Sequence, residues 1–369
     1  MDTTHNSPEP RYSSSPHFHP TRREFLATTG LLLGTMTSIA GCSSLLSPPI
    51  YEAETEWEPG VTMPTERTEV SAAVLDNKLY VLGGIEPGRV ASRTVAIFDP
   101  STGSWAEGPS LPVGLHHTTA ISHGGHLYVV GGYQNQWDPV NTVYRLEGSS
   151  WVERKPMPTV RGALAAAVHE GRIYAAGGVG IDDVTDTFEI YDIEADTWSS
   201  GPAMPTAREH LTAAVLDGKF YAIGGRTGNL YSNLRTTEVY DPATNSWEAV
   251  TAMPTARSGF GATTLGGVLV VMGGESPNGT NPQVEVYDPA EDAWFALPNL
   301  PTPRHGLGVA ALGNRIYAAA GGTEPGFFYS DAVEVLTFES ASFSRVSRSA
   351  ETFFCNLPVV SKLLRGSVC

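Results

Sequence analysis

Between residues 71 and 336 the chain passes six times through the same order of short segments. Each run opens with five or six residues rich in Ala, Thr, Ser and Gly, at 71–75, 118–122, 163–168, 211–216, 261–265 and 308–312. A two-residue turn follows, such as Asp76-Asn77, Gly124-Gly125 or Asp217-Gly218, built from residues that tolerate positive φ and join antiparallel strands. Next come predominantly apolar segments at 78–82, 126–130, 172–176, 219–223, 268–272 and 315–320, each leading into a glycine pair. After a loop of variable length there are third segments at 94–98, 142–146, 186–191, 236–240, 284–287 and 332–336. Turns such as Asp99-Pro100, Asp241-Pro242 and Asp288-Pro289 then lead to a fourth segment that holds a tryptophan. Segment lengths and turn chemistry predict four antiparallel strands per unit. The small side chains of the first segment predict convergence on a narrow axis, where larger ones would collide.

The glycine pairs stand at 83, 131, 177, 224, 273 and 321, and Trp57, Trp105, Trp151, Trp198 and Trp247 each precede the next pair by 26 residues, Trp294 by 27. This metre resembles the kelch repeat, in which each unit is one blade of a β-propeller. The resemblance implies an all-β, six-bladed ring over residues 51–343 with four antiparallel strands per blade. The tryptophans are expected to pack one sheet against the next. Trp57 has no inner strands before it, and the sixth unit has Phe343 where a tryptophan is expected. The preferred closure therefore has the N-terminal strand around 55–58 complete the sixth blade. The alternative places Phe343 in that blade's own fourth strand.

The flanks differ from the repeats. Residues 1–42 combine a polar Ser/Pro/His-rich start with Arg22-Arg23, an uncharged run and Ser38-Ile39-Ala40-Gly41-Cys42. This resembles a twin-arginine export signal ending in a lipobox, which implies an exported lipoprotein anchored to the extracytoplasmic side of a prokaryotic membrane by acylated Cys42. Residues 43–50 read as a linker, and the tail 344–369 carries no repeat. Cys355 and Cys369 are the other two of three cysteines, too few for a disulfide scaffold. The formal net charge of −16 argues against nucleic acid as a partner.

Candidate chemistry gathers where the chain enters each first strand. Met-Pro-Thr-x-Arg recurs there, ending at Arg67, Arg161, Arg208 and Arg257, with a variant ending at Arg304; the second unit has Leu115 instead. Two reading frames remain open. The arginines either ring the channel mouth and grip a carboxylate, or stitch the blades together. Two positions further on stand Glu69, His117, Ala163, His210, Gly259 and Gly306. Glu69, His117 and His210 are candidate acid–base groups because the architecture does not demand them, whereas His305 is expected to point elsewhere. The loops after the glycine pairs offer Trp137, Asn229, Tyr231 and Phe328 for a carbohydrate or protein ligand. No metal-binding spacing and no cofactor motif is present, so neither is expected; Asp182, Asp183 and Asp186 read as a solvated acidic turn. The ring also resembles sialic acid epimerase or mutarotase propellers. That likeness implies, as the alternative to a ligand-binding function, a cofactor-free isomerase in which Glu69 and a histidine flank an anionic sugar.

Overall fold

A computed structural model describes residues 54–135 and 137–338. The leader with Cys42, the linker to residue 50, Phe343, and the tail with Cys355 and Cys369 lie outside the described residues. Six four-stranded antiparallel sheets form a six-bladed propeller. Blade one comprises Ser71–Leu75, Lys78–Leu82, Val95–Asp99 and Ser104–Glu107, from axis to rim. The same order recurs through blade five, which ends in Ala293–Leu297.

Blade six is made from both ends of the described chain. Its inner strands are Gly308–Leu312, Arg315–Ala319 and Val333–Phe338, and Thr55–Pro59 forms its outer edge. Trp57 lies opposite Leu336, as Trp105 lies opposite Phe98 and Trp294 opposite Tyr287. Residues separated by most of the chain therefore share one ladder and leave no unpaired seam.

Burial explains why the blades need each other. Six apolar clusters occur among the described residues, one between each pair of adjacent sheets. The second strands, covered on both faces, are almost wholly buried (Val268–Met272 throughout), which is why they read as continuous apolar runs. Each repeat tryptophan packs against a cluster and donates its indole N–H to a carbonyl of the segment entering the blade from its neighbour. Trp57 reaches Pro298 O at 3.0 Å and Trp294 reaches Thr251 O at 2.8 Å.

The glycine pairs make the blade-to-blade approach possible. Gly84 N–H donates to Leu115 O, Gly274 N–H to Arg304 O, and Gly321 N–H to Arg67 O, each bond crossing to the next blade. A Cβ on Gly84 would stand 2.6 Å from Thr68 O. In blade six the pattern is displaced by one residue: Ala320 (φ 59) and Gly321 occupy the doublet positions, not Gly321 and Gly322.

Candidate functional site

The repeated Met-Pro-Thr-x-Arg motif is a latch inside the blade that carries it, and its arginine side chains do not stitch neighbouring blades together. The methionines of the motif are buried between sheets, and Arg67, Arg161, Arg208, Arg257 and Arg304 are each 0% exposed. Arg257 donates to Gly273 O (3.0 Å), Gln283 O (2.7 Å) and Glu285 Oε2 (2.5 Å), while Thr255 Oγ1 donates to Glu285 Oε1 (2.7 Å). Arg161–Glu189 with Thr159, Arg208–Glu238 with Thr206 and Arg304–Glu334 with Thr302 repeat the arrangement. The basic ring at the channel mouth does not form, and none of the five arginines is available to a ligand. Burying a guanidinium demands acceptors, which the strand-end carbonyls and the third-strand glutamate supply to its terminal nitrogens, although Nε of Arg67, Arg161, Arg208 and Arg257 has no partner.

The two departures fit this latch. Blade one has Ala96 in place of the glutamate; Arg67 then bonds only carbonyls, and Thr65 Oγ1 has no partner. Blade two replaces all three polar members together, with Val113, Leu115 and Tyr144 packed in one apolar cluster.

The axial site is built one step further along the chain. Glu69, His117, Ala163, His210, Gly259 and Gly306 all have left-handed backbone, with φ between 49 and 61. That conformation turns their peptide groups around the axis. His117 N–H donates to Glu69 O, Ala163 N–H to His117 O, His210 N–H to Ala163 O, Gly259 N–H to His210 O and Gly306 N–H to Gly259 O. Val70 N–H to Gly306 O closes the ring. Within it lies a channel of about 170 Å³, lined by small inner-strand residues such as Ala72, Ala166, Ala213 and Gly261.

Glu69, His117 and His210 converge at one end of this channel, as the sequence suggests. Glu69 Oε2 lies 3.3 Å from His117 Nε2, and the His117 and His210 rings meet edge to face at 4.7 Å. His305 also turns inward, contrary to the sequence expectation, with Nε2 3.3 Å from Glu69 Oε1. His116 Nδ1 holds His117 Nδ1 at 2.6 Å, and Glu209 holds His210 Nδ1. Arg226 bonds Glu209 and, at 2.7 Å, Glu275.

Burial and the Glu275 carboxylate push Glu69 up to about 8, against the pull of Arg226. Burial also holds the histidines below their usual range, reinforced at His117 by His210 and at His210 by Arg226. At neutral pH a protonated carboxyl therefore faces neutral imidazoles, a hydrogen-bonded network rather than an ion pair. Since Glu69 and His117 are already in contact, no sugar ring fits between them as donor and acceptor.

Aromatic side chains roof the cluster. Trp137 packs against His116, His117 and Tyr133 at 5.2–5.3 Å and reaches Phe327 at 6.3 Å. The Arg89 guanidinium lies over the Phe327 ring, 4.1 Å from its centroid.

With this geometry in view, comparison with known sequences places the repeats. Residues 107–253 match the KLHDC2/KLHL20/DRC7 Kelch-repeats domain, and residues 66–112 and 256–301 match the Kelch motif. The ring is a kelch-repeat propeller. It is similar to Kelch-like protein 40 of Mus musculus (30% identical over 141 residues) and of Xenopus tropicalis (29% over 140), each match covering 37% of this chain and 23% of the relative. Kelch repeat protein C2 of Cowpox virus is 27% identical over 127 residues, 34% of this chain and 25% of the relative. The chain thus matches about a quarter of the length of these curated relatives.

Across the kelch ring, the loop residues chosen from sequence fall into two groups. Trp137, Tyr231 and Phe328 are exposed, whereas the Asn229 side-chain oxygen caps the short 3-10 turn Leu230–Ser232 by accepting Tyr231 N–H. Sequence reading missed Glu209, Arg226 and Glu275 as members of the axial network. Their signal was positional. The residue after each arginine position bridges to the residue after each glycine doublet, as in Glu209↔Arg226 and Ser258↔Glu275, so aligning those two columns reveals the polar members.

Proposed function

We propose that this propeller is a recognition module that binds a protein partner on the face formed by the loops after the glycine doublets. One observation carries the reading. Of the seven exposed large apolar side chains among the described residues, five lie on those loops: Val90, Trp137, Ile181, Tyr231 and Phe328, one from each of five blades. Ile181 and Tyr231 are 80% and 89% exposed, although most buried apolar residues are gathered into interblade clusters. A ring of exposed apolar anchors around a polar centre has the composition of a protein interface. Kelch propellers generally bind protein partners, which supports the same assignment. The buried arginines remove the carboxylate clamp that an anionic-sugar isomerase would need.

The test is a quantitative interaction screen with the full chain beside two variants. One carries Trp137→Ser, Tyr231→Ser and Phe328→Ser; the other carries Val152→Ser, outside these loops. Specific partners should lose at least about 10-fold in affinity to the first variant and none to the second, with both melting like the parent. Equal capture by both variants overturns the proposal. Binding confined to glycans would instead assign the face to carbohydrate. Function outside the cytoplasm, tethered through acylated Cys42, belongs to the same proposal and is supported by the leader pattern. Arg22→Lys with Arg23→Lys should block export, and Cys42→Ala should abolish lipid labelling.

A further inference from the structure

We propose that the axial cluster is a binding site for one divalent transition-metal cation, with Glu69, His117 and His210 as its ligands. One donor atom from each residue lies within 4.8 Å of the other two. Bonds of about 2.0–2.2 Å to a common ion put tetrahedral ligands roughly 3.4 Å apart. The Glu69 Oε2–His117 Nε2 separation is already 3.3 Å, so a side-chain adjustment at His210 completes the set. Two imidazoles and one carboxylate suit zinc and its neighbours better than magnesium or calcium, and three protein ligands leave room for water from the channel.

Four further features favour a cation. First, the outward nitrogens of both histidines are fixed: His117 Nδ1 meets His116 Nδ1 and His210 Nδ1 meets Glu209, leaving Nε2 for the axis. Such outer partners are what orient metal-binding imidazoles. Second, Arg226 does not occupy the His210 lone pair. Its Nη2 stands 3.3 and 3.2 Å from the two ring nitrogens, an equidistance that puts it over the ring face and not in the ring plane.

Third, the Arg226 guanidinium bonds Glu209 and Glu275, while the Glu69 oxygens face His117 and His305 at the axis. Fourth, the donors occupy three of the four non-glycine left-handed positions in the axial ring, where blades five and six use glycine. Backbone strain is retained at those positions, as it is at Ala163. His305, whose two ring nitrogens each lie 3.1 Å from a carbonyl, positions Glu69 from behind.

The experiment titrates Co²⁺ into chelator-treated full-length chain, read by visible absorption and calorimetry. One equivalent should bind with the intense ligand-field bands of a four- or five-coordinate ion, and Zn²⁺ should displace it. His117→Ala with His210→Ala copies Ala163 at the equivalent backbone position, so the ring tolerates the substitution; affinity should fall more than about 10-fold. Glu69→Gln, nearly isosteric, reads the same site should that double variant not fold. The double variant retains the other eight histidines, Glu69→Gln retains all ten, and both keep the three cysteines. Absence of a one-equivalent cobalt complex in the parent overturns the proposal. So does a complex whose affinity is unchanged in the folded variants.

Discussion

Removing Arg257 tests whether the repeated arginines hold the strands of their own blade together. In Arg257→Leu, Glu285, itself 5% exposed, loses its cation, and the carbonyls of Gly273 and Gln283 lose a charged donor. Breaking one side of a buried pair costs about 3–5 kcal/mol, and two weakened carbonyls add roughly 1 kcal/mol each. The new leucine, buried in the methionine-lined interblade space, returns about 1–2 kcal/mol. The net expectation is a loss of about 4 kcal/mol, or roughly 10 °C in Tm for a ring of this size.

Blade two shows what should restore it, because Val113, Leu115 and Tyr144 stand where Thr255, Arg257 and Glu285 stand in blade five. The triple variant Thr255→Val, Arg257→Leu, Glu285→Tyr removes both charges together, and apolar replacement of a whole buried pair is often neutral. It should regain at least about half of the loss in urea unfolding or thermal melts, as a coupling between neighbours requires. A single variant that costs less than about 1 kcal/mol, or a triple variant no better than the single one, refutes the latch.

Two other perturbations have distinct readouts. Gly132→Ala should cost about 3 kcal/mol in urea unfolding, because φ is +106 and the new Cβ meets His116 O at 2.7 Å; Ala320→Gly, at the first doublet position of blade six, should stay within about 1 kcal/mol. Asp292 accepts bonds from Tyr287 Oη and Thr251 N–H, which hold its carboxyl below the ordinary aspartate range. A lowered folded-state pKa means stabilisation that is present above the unfolded value and lost as pH falls through the folded one. Asp292→Asn, the residue blade four carries as Asn245 against Tyr240, should therefore flatten the acid limb of the stability–pH curve and lower the neutral-pH Tm modestly, with parent and variant converging in acid. An unaltered acid limb would show that Asp292 does not contribute to it.

Fold and blade count follow from local chemistry. Strand lengths, two-residue turns, small inner side chains and the 26-residue interval from tryptophan to glycine each depend on neighbours close in sequence, so they recur visibly. Even ring closure was foreshadowed by a tryptophan without inner strands before it, and the Trp57↔Leu336 register then decided it. The role of the arginines was not legible in the motif alone. Four of the five depend on a glutamate 28 or 30 residues later, and only sheet pairing shows that the two meet inside one blade.

The axial cluster shows the same division. Glu69, His117 and His210 stood out as residues the repeat does not require, but their meeting is a property of closure, which brings blades one, two and four to a common narrow axis. Arg226, Glu209 and Glu275 join them because the left-handed turn and the glycine doublet place two otherwise unrelated columns of the repeat side by side. Periodicity along the chain encodes what each blade is. Which side chains face one another across the ring depends on packing between blades, and that exists only once all six have closed.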